Sequence, residues 1–369
     1  MGSVEYDDYE YDDANLTDTE YEDLVRATLW PQTVEKTFVV LLMSMMVVGV
    51  VGNTLVVVVV ISKRSMWSQM NIFLTNLACA DLLILIFCLP PTVINDVTKT
   101  FWFSELFCKS ILFLQNTSVY VSILSLMFIT FERWRAITCP LKSPLQATRY
   151  IIAGTWIVAM IMSSPEPYTL HLKSAEFRRP NFSSTWGTRC IASWSSETEQ
   201  QYQIVLTLCA YLSPLLFISV LCLHMSRTLN KCELTIGKRQ LANRKKAVRM
   251  LIAVVCMFAL SYLPVHLHNI AATFDLLGRD SDINWIYVRK LLPRVFSYSS
   301  SCLNPVLYNF MCNEQPFILY PSTLYHTSPG SEESTERLES AKISPRSISK
   351  GIRSSRLLYG ERCERCGDG

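Results

Sequence analysis

Two groups of residues that could do chemistry lie inside long apolar stretches of the chain. Asp81 lies in the middle of one stretch, where a carboxyl group is costly unless it is protonated, hydrogen-bonded or ion-paired. Cys108 and the pair Glu132-Arg133 lie near opposite ends of another stretch. At about 1.5 Å per residue, a helix separates Cys108 from Arg133 by about 37 Å, more than the ~30 Å core of a bilayer. The spacing therefore predicts one spanning helix, with its cysteine on the oxidising side and its charged pair on the cytoplasmic side.

The composition predicts that the whole chain is built around such helices. Hydrophobic residues make up 50% of its 369 residues and the mean hydropathy is +0.23, which is too apolar for an ordinary soluble domain. Seven apolar windows, called spans one to seven below, are Thr37–Ile61, Ile72–Val93, Leu106–Cys139, Tyr150–Ser164, Tyr202–His224, Ala247–Asn269 and Leu291–Phe310. We expect an all-α membrane protein with a seven-transmembrane helix bundle.

The distribution of charge predicts the orientation of the bundle and three regions of the chain. The first 25 residues contain ten acids and no Lys or Arg, whereas basic residues follow spans one, three and five. Basic residues favour the cytoplasmic side, so the N-terminus is expected outside and the protein in the plasma membrane. Residues 1–36 are expected to form a disordered acidic extracellular tail, 37–310 the bundle, and 311–369 a disordered cytoplasmic tail.

This orientation also sorts the thirteen cysteines and the glycosylation sequons. Only Cys108 and Cys190 fall on the outer side, so a disulfide is predicted between them. Asn15 and Asn181 begin outer acceptor sequons and are the expected glycosylation sites.

The spans also share a pattern of polar residues and prolines. In chain order these are Asn53, Asp81, Glu132-Arg133-Trp134, Trp156, Pro214, Phe258 with Pro264, and Asn304-Pro305 with Tyr308. This set resembles the rhodopsin-class G-protein-coupled receptors across residues 37–310. Prolines inside several spans interrupt helical hydrogen bonds, and membrane helices keep them where a kink opens a cavity or a hinge.

Within that class the chain resembles the orexin and allatotropin neuropeptide receptors. The stretches concerned are Cys88–Pro90, Asp96–Phe103, Trp134, Tyr211–Leu215 and Tyr262–Pro264. Gln115 stands where aminergic receptors have an Asp, and Tyr262 stands where most of the class has Trp. The resemblance implies an outer cavity for the amidated C-terminus of a peptide, because side-chain amides both donate and accept hydrogen bonds. The implied ligand-binding residues are Gln115, Asn269, Tyr262 and Arg294.

Two of these residues have alternative interpretations. Gln115 could instead form a hydrogen bond between helices. Arg294 stands where the orexin group has His, and a fixed cation there favours either an acidic peptide or an ion pair with a neighbour.

The resemblance further implies how a signal crosses the bundle. A sodium ion would act as an allosteric modulator in the resting state at Asp81, Ser122, Ser300 and Asn304. The residues implied in activation and G-protein coupling are Glu132, Arg133, Trp134, Leu141, Phe258, Pro264, Asn304, Pro305 and Tyr308. The implied partners are a neuropeptide, a heterotrimeric G protein of the phospholipase C and calcium class, arrestin at the Ser-rich tail, and membrane lipid.

Other functions fit the sequence less well. A transporter needs paired ionisable residues at the midplane and usually an internal repeat, whereas Asp81 stands alone. An intramembrane hydrolase needs a cluster of catalytic residues, but the five histidines are scattered. We therefore expect no enzyme activity, no cofactor beyond the sodium ion and no nucleic-acid partner. Within receptors, the alternative is a peptide ligand of the RFamide or neuropeptide Y-like type.

Overall fold

The computed structural model describes residues 16–138, 148–177, 179, 181–231, 238–277 and 283–311. Its helices are α1 (Asp18–Leu29), α2 (Thr33–Ser62), α3 (Gln69–Leu83), α4 (Leu89–Thr98), α5 (Glu105–Thr138), α6 (Thr148–Ser163), α7 (Pro165–Thr169), α8 (Ser196–Leu206), α9 (Ser213–Lys231), α10 (Lys238–Thr273) and α11 (Ile283–Met311). A short 3-10 turn covers Arg64–Met66, and π-helical turns cover Ile84–Cys88 and Thr207–Leu212. Two strands, β1 (Leu170–Lys173) and β2 (Arg189–Ala192), form an antiparallel hairpin.

The described residues of the seven predicted spans are helical, except for the turn at Ser164. Spans one, two, three, five and six are long and apolar enough to cross a membrane: Thr33–Ser62, Gln69–Thr98, Glu105–Thr138, Ser196–Lys231 and Arg244–Thr273. Span four is the 16-residue helix α6 followed by α7, and span seven is the 29-residue helix α11. Helix α5 packs against α3, α6 and α9, and α11 packs against α2 and α10. The fold is therefore the all-α bundle that the hydropathy predicts.

Prolines explain the irregular turns within the spans. Pro90 and Pro91 occupy the first turn of α4, directly after the π-helical turn Ile84–Cys88. Pro214 lies in the first turn of α9, after the second π-helical turn. Proline has no N–H and its ring clashes with the preceding turn, so the helix widens there instead of ending. Spans two and five thus continue past their prolines.

Polar residues inside the bundle tie the helices together. Trp156 Nε1 donates a hydrogen bond to Asn76 Oδ1 at 2.9 Å, and Asn76 Nδ2 donates to Ser125 Oγ at 2.9 Å. This chain of bonds joins α6, α3 and α5. Asn53 Nδ2 similarly joins α2 to α11 through the carbonyl oxygen of Ser301 at 2.9 Å. Buried amides and indoles need such partners, so these bonds fix the register of the helices.

One expectation for the N-terminal tail was wrong. Residues 18–29, expected to be disordered, form helix α1, and Thr17 and Glu20 close a capping box at its start. Tyr21 is buried against Phe177 and Phe182, with ring centroids 6.4 and 4.9 Å away. The helix is stable because this aromatic contact and the capping box offset its acidic composition. Helix α2 begins at Thr33, within the expected N-terminal tail, and α11 extends to Met311. Residues 1–15 and 312–369 of the expected tails lie outside the described residues.

The disulfide prediction is confirmed. Cys108 in α5 and Cys190 in β2 are bonded, with their Cα atoms 5.8 Å apart. Leu172 in β1 pairs with Cys190, so the bond also fixes the hairpin over the outer end of α5. The long segment between α6 and α8 is therefore fastened at a defined position above the bundle.

Candidate functional site

A small cavity lined by both apolar and polar residues lies between α3, α5, α10 and α11, and it is called the central cavity below. Its volume is about 30 Å³, which is room for a water molecule or a small ion. The four residues of the expected sodium site line it together: Asp81, Ser122, Ser300 and Asn304. Asp81 is 2% exposed, and its Oδ2 accepts a hydrogen bond from Asn304 Nδ2 at 2.7 Å. A carboxylate, two hydroxyls and an amide form an oxygen-rich donor set that suits a hard cation.

Two aromatic side chains adjoin this cavity on α10. The rings of Phe258 and Tyr262 are 5.0 Å apart, and both line the cavity wall. Tyr262 is 8% exposed, and Ser300 Oγ lies 3.5 Å from its hydroxyl, so its polar end points toward Asp81's cavity. Pro264 lies in α10 two residues further on. Tyr262 therefore lines the central cavity within one helical turn of Pro264.

The predicted ligand-binding amides lie in the outer half of the bundle. Gln115 in α5 and Asn269 in α10 are both half-buried. Neither side chain forms a hydrogen bond with the residues that the structure describes, so the alternative of an inter-helix bond for Gln115 is not realised among them. Half-buried amides without protein partners retain their full capacity to bind a ligand.

Arg294 has a protein partner. Its Nε lies 2.7 Å from Asp96 Oδ2, and Lys290 Nζ lies 3.9 Å from Asp96 Oδ1. The Asp96 side chain is only 4% exposed, whereas Arg294 is 32% exposed. The guanidinium N–H is not aligned for a hydrogen bond, so the contact is an ion pair. Of the two alternatives for Arg294, the structure thus shows the ion pair with a neighbour. The Arg294 cation balances the buried carboxylate of Asp96.

Glu166 is a further candidate that the sequence reasoning missed. It lies in α7, and its Oε1 accepts hydrogen bonds from Asn116 Nδ2 at 3.0 Å and Tyr202 OH at 3.1 Å. Asn116 directly follows Gln115, so the carboxylate belongs to the same outer region of the bundle. The sequence feature that could have identified Glu166 is its position between Pro165 and Pro167, directly after an apolar span.

The inner ends of α5 and α9 carry the charged motif. Arg135 Nε lies 3.6 Å from Glu132 Oε1, and Trp134 Nε1 donates a hydrogen bond to His224 Nδ1 at 3.0 Å. Arg133 lies between Glu132 and Trp134 in the sequence. It is half-buried and also interacts with another residue of the protein. Trp134 thereby joins α5 to α9 at this end. The predicted coupling residue Leu141 lies outside the described residues, as does the side chain of Tyr308, whose backbone belongs to α11.

Pro305 and the predicted glycosylation residue Asn181 do not belong to these clusters. Pro305 lies in α11, and its ring would be 3.0 Å from a Cβ added at Gly52, so α2 and α11 approach closely there. Asn181 is exposed in a turn, where it has a positive φ of 66°. Asn15 lies outside the described residues.

A comparison with known families agrees with this arrangement. A family model described as the 7 transmembrane receptor (rhodopsin family) matches residues 52–308, which covers spans two to six completely, most of span seven and the end of span one. The matched region contains the central cavity, the disulfide and the charged motif at the inner end. Members of this family are multi-pass plasma-membrane receptors that respond to extracellular ligands and signal through G proteins, and they are not enzymes. The chain belongs to the rhodopsin family of seven-transmembrane receptors.

Proposed function

We propose that this receptor binds an amidated neuropeptide of the orexin or allatotropin kind. The observation that carries the proposal is the pair of amide side chains, Gln115 and Asn269, which have no hydrogen-bond partner among the described residues. A peptide amide offers both a donor and an acceptor to each of them. Tyr262 acts below the peptide, where its ring packs on Phe258.

We place the N-terminus outside the cell. The acidic residues 1–25 and the disulfide in the hairpin belong on the oxidising, extracellular side, and the basic residues after spans one, three and five belong in the cytoplasm. The acidic N-terminal region would speed the capture of a basic peptide by long-range attraction. In this orientation, Asn15 and Asn181 would be available for glycosylation.

Peptide binding shifts a pre-existing equilibrium, to the extent that the active arrangement binds the peptide more tightly. In our proposal α10 moves at Pro264 as Phe258 and Tyr262 repack, and Arg133 then helps to receive a Gα subunit of the phospholipase C class. Asn304, Pro305 and Tyr308 transmit the change along α11, Leu141 contacts the Gα subunit, and arrestin binds the Ser-rich tail.

The first test measures intracellular calcium in cells that express the chain. Amidated allatotropin- and orexin-type peptides are expected to raise calcium, and Gln115→Ala is expected to lower potency about tenfold, as for the loss of about 1.4 kcal/mol of hydrogen bonding. Arg133→Ala is expected to abolish the calcium signal while the receptor stays at the surface. Arg149→Ala, which removes an exposed arginine near the same inner end, is the matched control and should respond normally.

The peptide panel also separates the alternatives. A response to RFamide or neuropeptide Y-like peptides alone would show that the ligand belongs to that class and not to the orexin or allatotropin class. Silence toward every peptide, with the receptor at the cell surface, would refute the peptide proposal and leave the family assignment intact.

We further propose that the central cavity holds a sodium ion that stabilises the resting state. The donor set of Asp81, Ser122, Ser300 and Asn304 supports this. Sodium at about five times its Kd should stabilise the purified receptor by about 1 kcal/mol relative to choline at the same ionic strength. The measurement is thermal unfolding, and Asp81→Asn should lose the sodium effect, whereas Asp23→Asn, an exposed carboxylate, should keep it. Equal stability in the two salts would refute the site.

A further inference from the structure

Glu166 is half-buried and lies below the outer end of the bundle. Its partner Asn116 is eight residues along α5 from Cys108, which is held beneath the hairpin by the disulfide. At about 1.5 Å per residue, Asn116 therefore lies about 12 Å below that bond. Tyr202 in α8 contacts the carboxylate from the neighbouring span. The group therefore lies where α5, α7 and α8 meet, well below the outer surface.

The carboxylate is only partly satisfied by the protein. Its Oε1 accepts both hydrogen bonds, from an amide and a phenol, which are uncharged donors. No Lys, Arg or His in the described ranges forms an ion pair with Glu166. A carboxylate at this depth is costly without a cation, so an acidic residue here points to a function that uses its charge.

Two buried acids of the outer bundle, Asp96 and Glu35, are each paired with basic side chains. Asp96 has two cations of its own, Arg294 at 2.7 Å and Lys290 at 3.9 Å. Glu35 has Lys99 at 3.2 Å. Both acids are thus neutralised within the protein.

The surroundings of Glu166 suit an organic cation. Trp194 stacks on Tyr202 with ring centroids 4.7 Å apart, which places an aromatic pair beside the carboxylate. Aromatic faces attract ammonium and guanidinium groups, and a guanidinium also pairs with a carboxylate through a fork of N–H donors. Gln115, whose amide has no bond to the described residues, is the neighbour of Asn116 in sequence.

We infer that Glu166 is the counter-ion for a basic group of the ligand, a guanidinium or an ammonium on the peptide near its amidated end. The inference rests on the proposed function and makes it more specific, because it requires Arg or Lys in the part of the peptide that enters the bundle. Asn116 and Tyr202 act as positioning residues that hold one carboxylate oxygen and leave the other for the cation.

The test is affinity selection from a random pool of amidated hexapeptides with the purified full-length receptor in lipid nanodiscs, read by mass spectrometry. Wild-type receptor should retain members with Arg or Lys over neutral members. Glu166→Gln should lower that preference at least tenfold, since the amide cannot balance a cation. Gln keeps an acceptor for Asn116 and Tyr202, so the variant is expected to fold. Glu176→Gln removes the same charge from an exposed loop and should retain the wild-type preference.

Replacement of Arg by citrulline in a retained peptide provides a second readout. Citrulline preserves the shape and removes the charge, so it should weaken binding to the wild type and have little effect on Glu166→Gln. Retained peptides without a basic preference, or with the same preference in Glu166→Gln, would overturn the inference and leave the peptide proposal intact. Retention of no peptide at all would overturn both.

Discussion

Loss of the Cys108–Cys190 disulfide is expected to lower the free energy of unfolding by about 4.5 kcal/mol, on the account in which a cross-link restricts the unfolded chain. The two cysteines are 82 residues apart, so the bond closes a long loop. The variant is Cys108→Ala with Cys190→Ala, which leaves no unpaired thiol behind. Unfolding by a denaturing detergent in mixed micelles measures the change.

The structure also predicts a pattern among the variants. Each single substitution should cost about as much as the double one, because both break the same bond. Cys209→Ala, at an exposed free cysteine, is the control and should change stability by less than about 0.5 kcal/mol. Additive effects of the two single substitutions, or a loss below about 1 kcal/mol in the double variant, would contradict the prediction.

Arg294→Ala is expected to destabilise the receptor by about 3 kcal/mol, because it leaves the buried Asp96 carboxylate without its nearer cation. The value lies at the low end for a broken buried pair, since Lys290 remains 3.9 Å from Asp96. Addition of Asp96→Asn should recover most of the loss, because the uncompensated charge is then removed. The same detergent unfolding measures all three variants.

An exposed ion pair is the matched control for this prediction. Lys109 Nζ lies 2.7 Å from Glu105 Oε1, but this acid is 54% exposed, whereas Asp96 is 4% exposed. Lys109→Ala should therefore cost less than about 1 kcal/mol. If Arg294→Ala costs no more than Lys109→Ala, or if Asp96→Asn adds to the loss, the ion pair does not stabilise the fold as described.

The outer ends of the bundle show where sequence reasoning failed. Composition predicted disorder for residues 1–36, because ten acids dominate the first 25 residues. The capping pair Thr17 and Glu20 was visible in the sequence, but a short isolated helix is marginal in water. Its stability comes from Tyr21 against Phe177 and Phe182, which are more than 150 residues away along the chain.

Glu166 and Asp96 could not be interpreted from the sequence for a related reason. One acid meets an amide and a phenol, whereas the other meets two cations, and in both cases the partners come from other helices. The charge of a side chain follows from its residue type, but the neighbours of that side chain depend on how the helices pack. The resemblance to known receptors placed Arg294 at a ligand site, and only the structure showed its ion pair.

The sequence by itself determined the seven spans, the disulfide and the family. Hydropathy fixes which segments are helical in a membrane, because every backbone polar group in lipid must be satisfied within its own helix. The resemblance to known receptors implies that Asp81 and Asn304 share a site, and the two side chains do share a hydrogen bond. Tertiary structure alone decided which charges are neutralised within the protein, because electrostatic pairing depends on distances of a few ångströms between different helices.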